Sequence, residues 1–346
     1  MKKLIIQIPC LNEAATLPAT LADLPASVEG IDVIETLVID DGSRDGTADV
    51  ARASGVDHIV RLTRNKGLAA AFMAGIDAAL KQGADYIVNT DADNQYSGRE
   101  IPKLVAPLLR GEADMVIGDR NIAELQHMSW QKRQLQRLGS WVVRQVSSTS
   151  VPDTTSGFRA YTREAALRMT IVSEFSYTLE SIIQAGKKRM AIAHVPIATN
   201  PRTRESRLFD SIFGYIKRSA ATIVRIYTMY EPLKVFSYIG FTLFGAGALL
   251  ALRFLYTYTT DPTFGGPRFL QSLIFSAVFM IVGFQVVLIG LLADVISANR
   301  KLLEDVLYRV RQLEIDRSDA ARDEHEKKEP VASAGAVRND RWTRHG

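Results

Sequence analysis

Two long runs of uncharged apolar residues constrain this chain more than anything else in it. Val235–Leu252 (VFSYIGFTLFGAGALLAL) carries no charge and is bracketed by Lys234 and Arg253. Phe269–Ala293 (FLQSLIFSAVFMIVGFQVVLIGLLA) is likewise uncharged. With ~1.5 Å of rise per residue, ~20 helical residues match a hydrocarbon core ~30 Å thick. The linking segment Tyr256–Arg268 contains Asp261-Pro262 and Gly265-Gly266-Pro267, which close a short hairpin connection. Two such runs in succession predict a transmembrane hairpin rather than a pair of buried helices. Arg218, Arg225 and Lys234 precede the first run, and Arg300, Lys301, Arg309 and Arg311 follow the second, whereas the connection holds only Arg268. The positive-inside rule then expects the N-terminal region and the C-terminus on the cytoplasmic side.

The region before the hairpin has a different texture. Lys3–Pro9, Glu35–Asp41, His58–Leu62, Asp85–Asp91 and Asp114–Gly118 are short Val/Ile-rich runs, several ending in Asp, Asn or Gly. Helical patterns lie between them at Thr47–Ser54, Leu68–Gln82 and Ile101–Arg110. Strands alternating with helices predict an α/β domain with a mainly parallel sheet, whose ligands sit beyond the carboxyl ends of the strands. Lys2 and Lys3 precede an apolar run, but Gln7 interrupts it and Asn12 and Glu13 follow, so it is expected to be a first buried strand rather than a cleaved leader. Leu208–Tyr230 places Ile212, Tyr215, Ile216, Ile223, Ile226 and Tyr227 near helical spacing among basic residues, as an amphipathic interface helix would. The expected division is 1–204 catalytic domain, 205–232 interface helices and 233–297 hairpin, with spans at about 235–255 and 269–293. A cytoplasmic helix at 298–317 and a disordered tail at 318–346 complete it.

Composition removes several function classes. A single cysteine, Cys10, excludes a disulfide scaffold and a multi-thiolate zinc site, and the five histidines show no metal-ligand spacing. A net charge of +4 is too small for a nucleic-acid-binding surface, and no nucleic-acid partner is expected. The position after the first strand holds Pro-Cys-Leu-Asn-Glu instead of G-x-G-x-x-G, against a dinucleotide oxidoreductase.

The sharpest chemical signal is Asp91-Ala92-Asp93 after the apolar run Tyr86–Val88. Two carboxylates at i and i+2 on a strand end can converge on one hard divalent ion, Mg²⁺ or Mn²⁺, with Gln95 offering another oxygen. A second strand end, Ile39-Asp40-Asp41-Gly42-Ser43, carries paired acids that suit both a tight turn and contacts to a nucleobase or ribose. Ile8-Pro9-Cys10-Leu11-Asn12-Glu13 closes the first strand in the same manner.

The order IPCLNE, VIDDGSRDGT, RNKGLAAAFMAGI, DADNQ resembles the GT-A glycosyltransferases of family 2. DTTSGFR (Asp153–Arg159), YTLE (Tyr177–Glu180) and the basic stretch Pro201–Leu208 narrow the likeness to the dolichyl-phosphate mannosyltransferase and bacterial polyprenyl-phosphate glycosyltransferase branch, over roughly residues 3–230. The hairpin resembles bacterial members of that branch, which implies a bacterial inner-membrane location. The resemblance implies a Rossmann-like GT-A domain followed by interface helices and two spans. It implies that Pro9, Leu11 and Glu13 form a nucleotide-contacting loop and that Asp40 or Asp41 recognises base and ribose. Lys66 and Ala92 join the set around the nucleotide sugar. Asp91, Asp93 and Gln95 correspond to the metal ligands and Arg120 to a phosphate-contacting arginine. Arg133, Arg202 and Arg207 resemble basic residues that close over the diphosphate and the lipid phosphate, with Arg204 in the same cluster. Arginine at 207 departs from the usual lysine, and Tyr96-Ser97-Gly98 from the usual prolines. The Q-x-x-R-W motif of processive synthases is absent, since Leu138 follows Gln134–Arg137.

The implied reaction moves a sugar with inversion from a nucleotide diphosphate sugar (UDP or GDP) to a polyprenyl phosphate, among membrane lipids. A diacylglycerol acceptor and an inactive membrane scaffold stand as alternatives, and self-association of the spans is left open.

Overall fold

The computed structural model describes residues 1–120, 141–144, 147, 149, 151–172, 177–201, 212–260 and 267–333. At 212–216, 218–219, 267–269 and 318–333 it describes the backbone alone. Arg133, Arg202, Arg204 and Arg207 lie outside the described residues. The chain divides into two compact units, residues 1–208 with 306–346 and residues 209–305.

The first unit is built on a seven-stranded sheet. In chain order its strands are β1 (Lys3–Cys10), β2 (Val33–Asp40), β3 (His58–Arg61), β4 (Tyr86–Asn89), β5 (Met115–Asp119), β6 (Arg159–Thr162) and β7 (Ile192–Pro196). Across the sheet they lie in the order β3-β2-β1-β4-β6-β5-β7. Every pairing is parallel except those of β6, which runs antiparallel to both β4 and β5. The carboxyl ends of the six parallel strands therefore share one edge.

Leu4 to Cys10 are all buried, as befits a central strand covered on both faces. On one face Leu4, Ile6, Ile8, Val38, Val88 and Val116 join α4 (Ile101–Leu109) in a continuous core. On the other, α3 (Leu68–Lys81) lays Phe72, Ile76 and Ala79 over β1 and β2. Close approach here needs a glycine, because a Cβ on Gly75 would lie 2.3 Å from the Gln7 side chain. Shorter helices α1 (Leu17–Ala22), α2 (Thr47–Ala53), α5 (Arg163–Arg168) and α6 (Tyr177–Lys187) complete the unit.

The five strands and three helices expected before residue 120 are all present, within two residues at each boundary. β6 and β7 are additional. Each is only four or five residues long, and β7 alternates half-buried and exposed positions, so neither stands out as an apolar run.

The second unit contains α7 (Ile212–Tyr230), α8 (Pro232–Thr260) and most of α9 (Pro267–Ser333). In α7, Ile223 and Ile226 are buried while Val224 and Arg225 are exposed, so its apolar stripe is one-sided. α8 and α9 are each long and apolar enough to cross a membrane. They meet through glycines: a Cβ on Gly240 would lie 2.7 Å from Gly283 O, and one on Gly247 would lie 2.8 Å from Ser276 O. Ser276 Oγ also donates to Gly247 O at 2.7 Å. Small residues that admit backbone contact are what holds helices together where lipid removes the hydrophobic drive. Beyond the second span, α9 continues as helix to Ser333, past Ser318 where an unstructured tail was expected. The stretch Asp316–Glu329 is rich in Ala, Glu, Lys and Arg, which favour helix locally.

Candidate active site

Three loops meet at the carboxyl edge of β1, β2 and β4. The first two are laced together. Asn12 N–H donates to Ser43 Oγ (2.9 Å), Arg44 N–H to Asn12 Oδ1 (2.9 Å) and Glu13 N–H to Thr47 Oγ1 (3.0 Å). Asn12 takes a positive φ of 55° to make the turn. Beside this lacing, Leu11, Asn12, Gly42 and Ser43 face Arg61 and Arg64 across a cavity of about 730 Å³.

The two acids after β2 do different work. Both oxygens of Asp41 are taken by backbone, Oδ1 by Lys66 N–H (2.7 Å) and Oδ2 by Gly67 N–H (2.9 Å). It pins the loop that leads into α3. Asp40 is also buried, but only its Oδ1 is used, by Ser43 N–H at 2.7 Å. Its Oδ2 has no hydrogen-bond partner among the described residues and lies 3.4 Å from Arg61 Nε. A buried carboxylate oxygen left open is an acceptor waiting for a donor, so of the pair Asp40 is the one equipped to contact a ligand. Lys66 contributes backbone to this arrangement, and its side chain is exposed.

Asp91 and Asp93 follow β4 directly. The loop is set by Asn94 at φ 55° and by Asp93 Oδ1, which accepts from Gln95 N–H (3.1 Å). Ala92 is buried, its carbonyl accepting from Thr20 Oγ1 at 2.9 Å. Behind Asp91 stands a glycine: a Cβ on Gly157 would lie 3.1 Å from Asp91 Oδ1. No described donor gives a hydrogen bond to the Asp91 carboxylate. Burial, then the Asp93 charge, push Asp91 up to about 7, against the pull of Arg120, with Glu13 adding to the rise. A pair of acids in this state suits a cation. Among the described residues no group of three His, Cys, Asp or Glu is gathered to hold a metal ion. Two carboxylates with an amide nearby therefore fit a hard divalent ion that completes its shell with ligand phosphate oxygens and water. Cys10 is no rival ligand, since burial, then Glu13, push its thiol well up.

Arg120 extends from the end of β5 into the same edge. Its Nε and Nη2 donate to the two oxygens of Asp153 at 2.7 and 3.0 Å, and Nη2 also reaches Thr155 Oγ1 at 2.8 Å. Burial alone would raise the Asp153 carboxyl, but the Arg120 guanidinium holds it below its ordinary value. Asp153 also accepts from Thr155 N–H and Ser156 N–H, so it caps its own loop and orients the arginine at once. Glu180 is fully buried and accepts from Val172 N–H (3.0 Å), a structural bond.

Several supporting residues escaped sequence reasoning. Gln7 Nε2 donates to Asn89 Oδ1 (2.9 Å), and Asn89 Nδ2 donates to Gly157 O (2.8 Å). Tyr96 stacks on Phe158, and its hydroxyl accepts from Gly157 N–H (3.1 Å). Arg159 is fully buried, giving hydrogen bonds to Ser156 O, Thr154 O, Thr178 O and Ser181 Oγ. Their common target is the loop Asp153–Phe158, which positions both Arg120 and the wall behind Asp91. A polar residue inside an apolar strand, such as Gln7, was the available signal.

Residues 5–169 match the model for glycosyl transferase family 2, and residues 231–298 match that for a GtrB C-terminal hairpin. An uncharacterized glycosyltransferase of Mycobacterium bovis is 33% identical over 61% of this chain and 92% of its own length. This chain belongs to glycosyl transferase family 2. It is also 29% identical to the undecaprenyl-phosphate mannosyltransferase of Micrococcus luteus, over 60% of this chain and 88% of that one. Among solved structures, the glucosyl-3-phosphoglycerate synthase of Mycobacterium tuberculosis, crystallised with Mn²⁺, UDP and phosphoglyceric acid, shares the fold. Its TM-score is 0.53 at 21% identity, over 65% of this chain and 78% of that one. The family 2 glycosyltransferase described here thus combines a GT-A domain with a membrane hairpin.

Proposed function

We propose that this glycosyltransferase moves a sugar from a nucleotide diphosphate sugar to a polyprenyl phosphate at the cytoplasmic face of the membrane, with a divalent cation and inversion at the anomeric carbon. The observation that carries the reading is the convergence on one sheet edge of two neighbouring acids (Asp91, Asp93), a clamped arginine (Arg120) and a buried carboxylate oxygen with no hydrogen bond among the described residues (Asp40). The likeness to an undecaprenyl-phosphate mannosyltransferase supports a lipid phosphate as acceptor.

In this reading the cavity beside Arg61 and Arg64 takes the nucleoside, with Asp40 Oδ2 accepting from a base or ribose donor. Asp91 and Asp93, with Gln95 beside them, would hold Mg²⁺ or Mn²⁺, which supplies neutralisation of charge gathering on the departing nucleoside diphosphate. Arg120, fixed by Asp153, adds a preorganised donor at the same edge. The acceptor phosphate has a second pKa near ~6 and is already anionic at neutral pH. No side chain is needed to remove a proton from it, and among the described residues no His–carboxylate pair lies beside Asp91 and Asp93. Arg133, Arg202 and Arg207 are assigned to the two anionic groups from the resemblance. Asn200, which precedes that basic stretch, is tied to the acid loop, donating to Asn94 O at 3.0 Å and to Gln95 O at 2.9 Å.

The test is a screen of UDP- and GDP-sugars with Mn²⁺ or Mg²⁺ against a short polyprenyl phosphate and a diacylglycerol, using the full chain in detergent. Transfer to the polyprenyl phosphate that needs the cation is expected, and transfer to diacylglycerol instead overturns the acceptor. Asp93→Asn should lower turnover by ~10²-fold or more with an unchanged circular dichroism spectrum. Near-normal turnover in that variant removes the cation from Asp91 and Asp93.

A further inference from the structure

β7 stands three places from β4 in the sheet, with β6 and β5 between them. At ~4.8 Å per strand that is a separation of ~14 Å. Yet the chain that leaves β7 comes back to the acid loop behind β4. Ile197 N–H donates to Asp119 O at 2.9 Å, next to Arg120. The Ile197 side chain packs over Gly118, where a Cβ would lie 2.8 Å from its Cδ1 and 3.0 Å from Phe158 Cδ1. Thr199 then pairs with Tyr96 in an antiparallel bridge, and Tyr96 is the residue that stacks on Phe158. Asn200 closes the run against the acid loop. Its backbone N–H donates to Gln95 O at 2.9 Å, and its Nδ2 donates to Asn94 O at 3.0 Å.

The side-chain bond falls on one particular peptide unit. The carbonyl of Asn94 and the N–H of Gln95 belong to the same plane, so fixing one end fixes the other. At the far end of that plane Gln95 N–H donates to Asp93 Oδ1 at 3.1 Å. Asn94 itself sits at φ 55°, a left-handed conformation disfavoured for any residue with a Cβ. Asn200 Nδ2 therefore holds a strained turn in place and, through one rigid peptide, the orientation of the Asp93 carboxylate.

We propose that Asn200 is a positioning residue for the cation site: its side chain fixes the Asn94–Gln95 peptide and so presents the Asp93 carboxylate to an ion shared with Asp91. This rests on the reading of Asp91 and Asp93 as cation ligands. Removing Nδ2 leaves the backbone bond of Asn200, the Thr199 bridge and the Ile197 packing intact, so the segment keeps its course while the peptide loses its hold.

The test uses the full chain in detergent, with Mn²⁺ binding followed by electron paramagnetic resonance in the presence of UDP or GDP. Asn200→Ala is expected to weaken Mn²⁺ binding about tenfold or more, with an unchanged circular dichroism spectrum. Without cation, the same variant should show faster hydrogen exchange in a peptide covering residues 93–98. Asn94→Ala should also weaken Mn²⁺ binding, and the double variant should lose less than the two single losses combined, because both act through one peptide. Unchanged Mn²⁺ affinity, unchanged exchange or loss of the fold in Asn200→Ala, or full additivity in the double variant, each overturns the positioning role. A wild-type chain that binds no Mn²⁺, or binds it equally well as Asp93→Asn, overturns the cation reading and this proposal with it.

Discussion

Asp91 carries the most consequential single charge in the molecule. Its carboxyl ordinarily titrates near 3.8 and is raised to about 7 by burial and then by Asp93. Between those values the unfolded chain holds Asp91 ionised while the folded protein keeps it protonated, so the folded state binds more protons. Stability of the cation-free protein is then expected to fall as pH rises from about 4 to about 7. Denaturant titrations across that range should show the slope, and Asp91→Asn should flatten it. A cation held there, as proposed, would compete with the same proton, so the affinity for Mn²⁺, measured calorimetrically with a nucleoside diphosphate, should weaken below pH ~7 with proton release on binding. Asp91 and Asp93 were legible in the sequence because a strand followed by D-x-D brings two side chains to one place through local geometry alone. The separate tasks of Asp40 and Asp41 were not. They depend on which oxygens the backbone of Ser43, Lys66 and Gly67 has already claimed, and those residues come from different loops.

At the scale of elements, the loop Asp153–Phe158 between β5 and β6 is the piece on which the site leans. Arg159 ties it to the first turn of α6, bonding Ser156 O at 2.7 Å and Thr178 O at 2.9 Å. Arg159→Met would leave buried carbonyls unmet, and a loss of about 3 kcal/mol in unfolding free energy is expected by chemical denaturation. In the hairpin, a Cβ on Gly283 would lie 2.6 Å from Phe244 N and 2.7 Å from Gly240 O. Gly283→Val must part the two helices, and a lower thermal midpoint in detergent is the expected reading. β1 and α3 were plain in the sequence because each has enough residues to display its period. β6 has four residues, and its antiparallel place between β4 and β5 comes from long-range pairing such as Val88 with Ala160.

For the whole molecule, α9 from Val306 onward groups with the catalytic unit. Arg311 bonds Met169 O at 2.7 Å and lies 3.5 Å from Asp77. Arg311→Ala is expected to cost the unit about 1–2 kcal/mol, measurable by urea unfolding monitored in the α/β domain. The sequence by itself determined the α/β domain, the two membrane-length helices and the acid pair, because each is written in contiguous residues whose spacing or hydropathy acts locally. Tertiary structure alone decided the order of strands around the inserted β6, the clamp of Asp153 on Arg120, the open oxygen on Asp40 and the seating of α9. Those features join residues from 21 to 144 positions apart, and such distances close only when burial of the shared core brings the segments together.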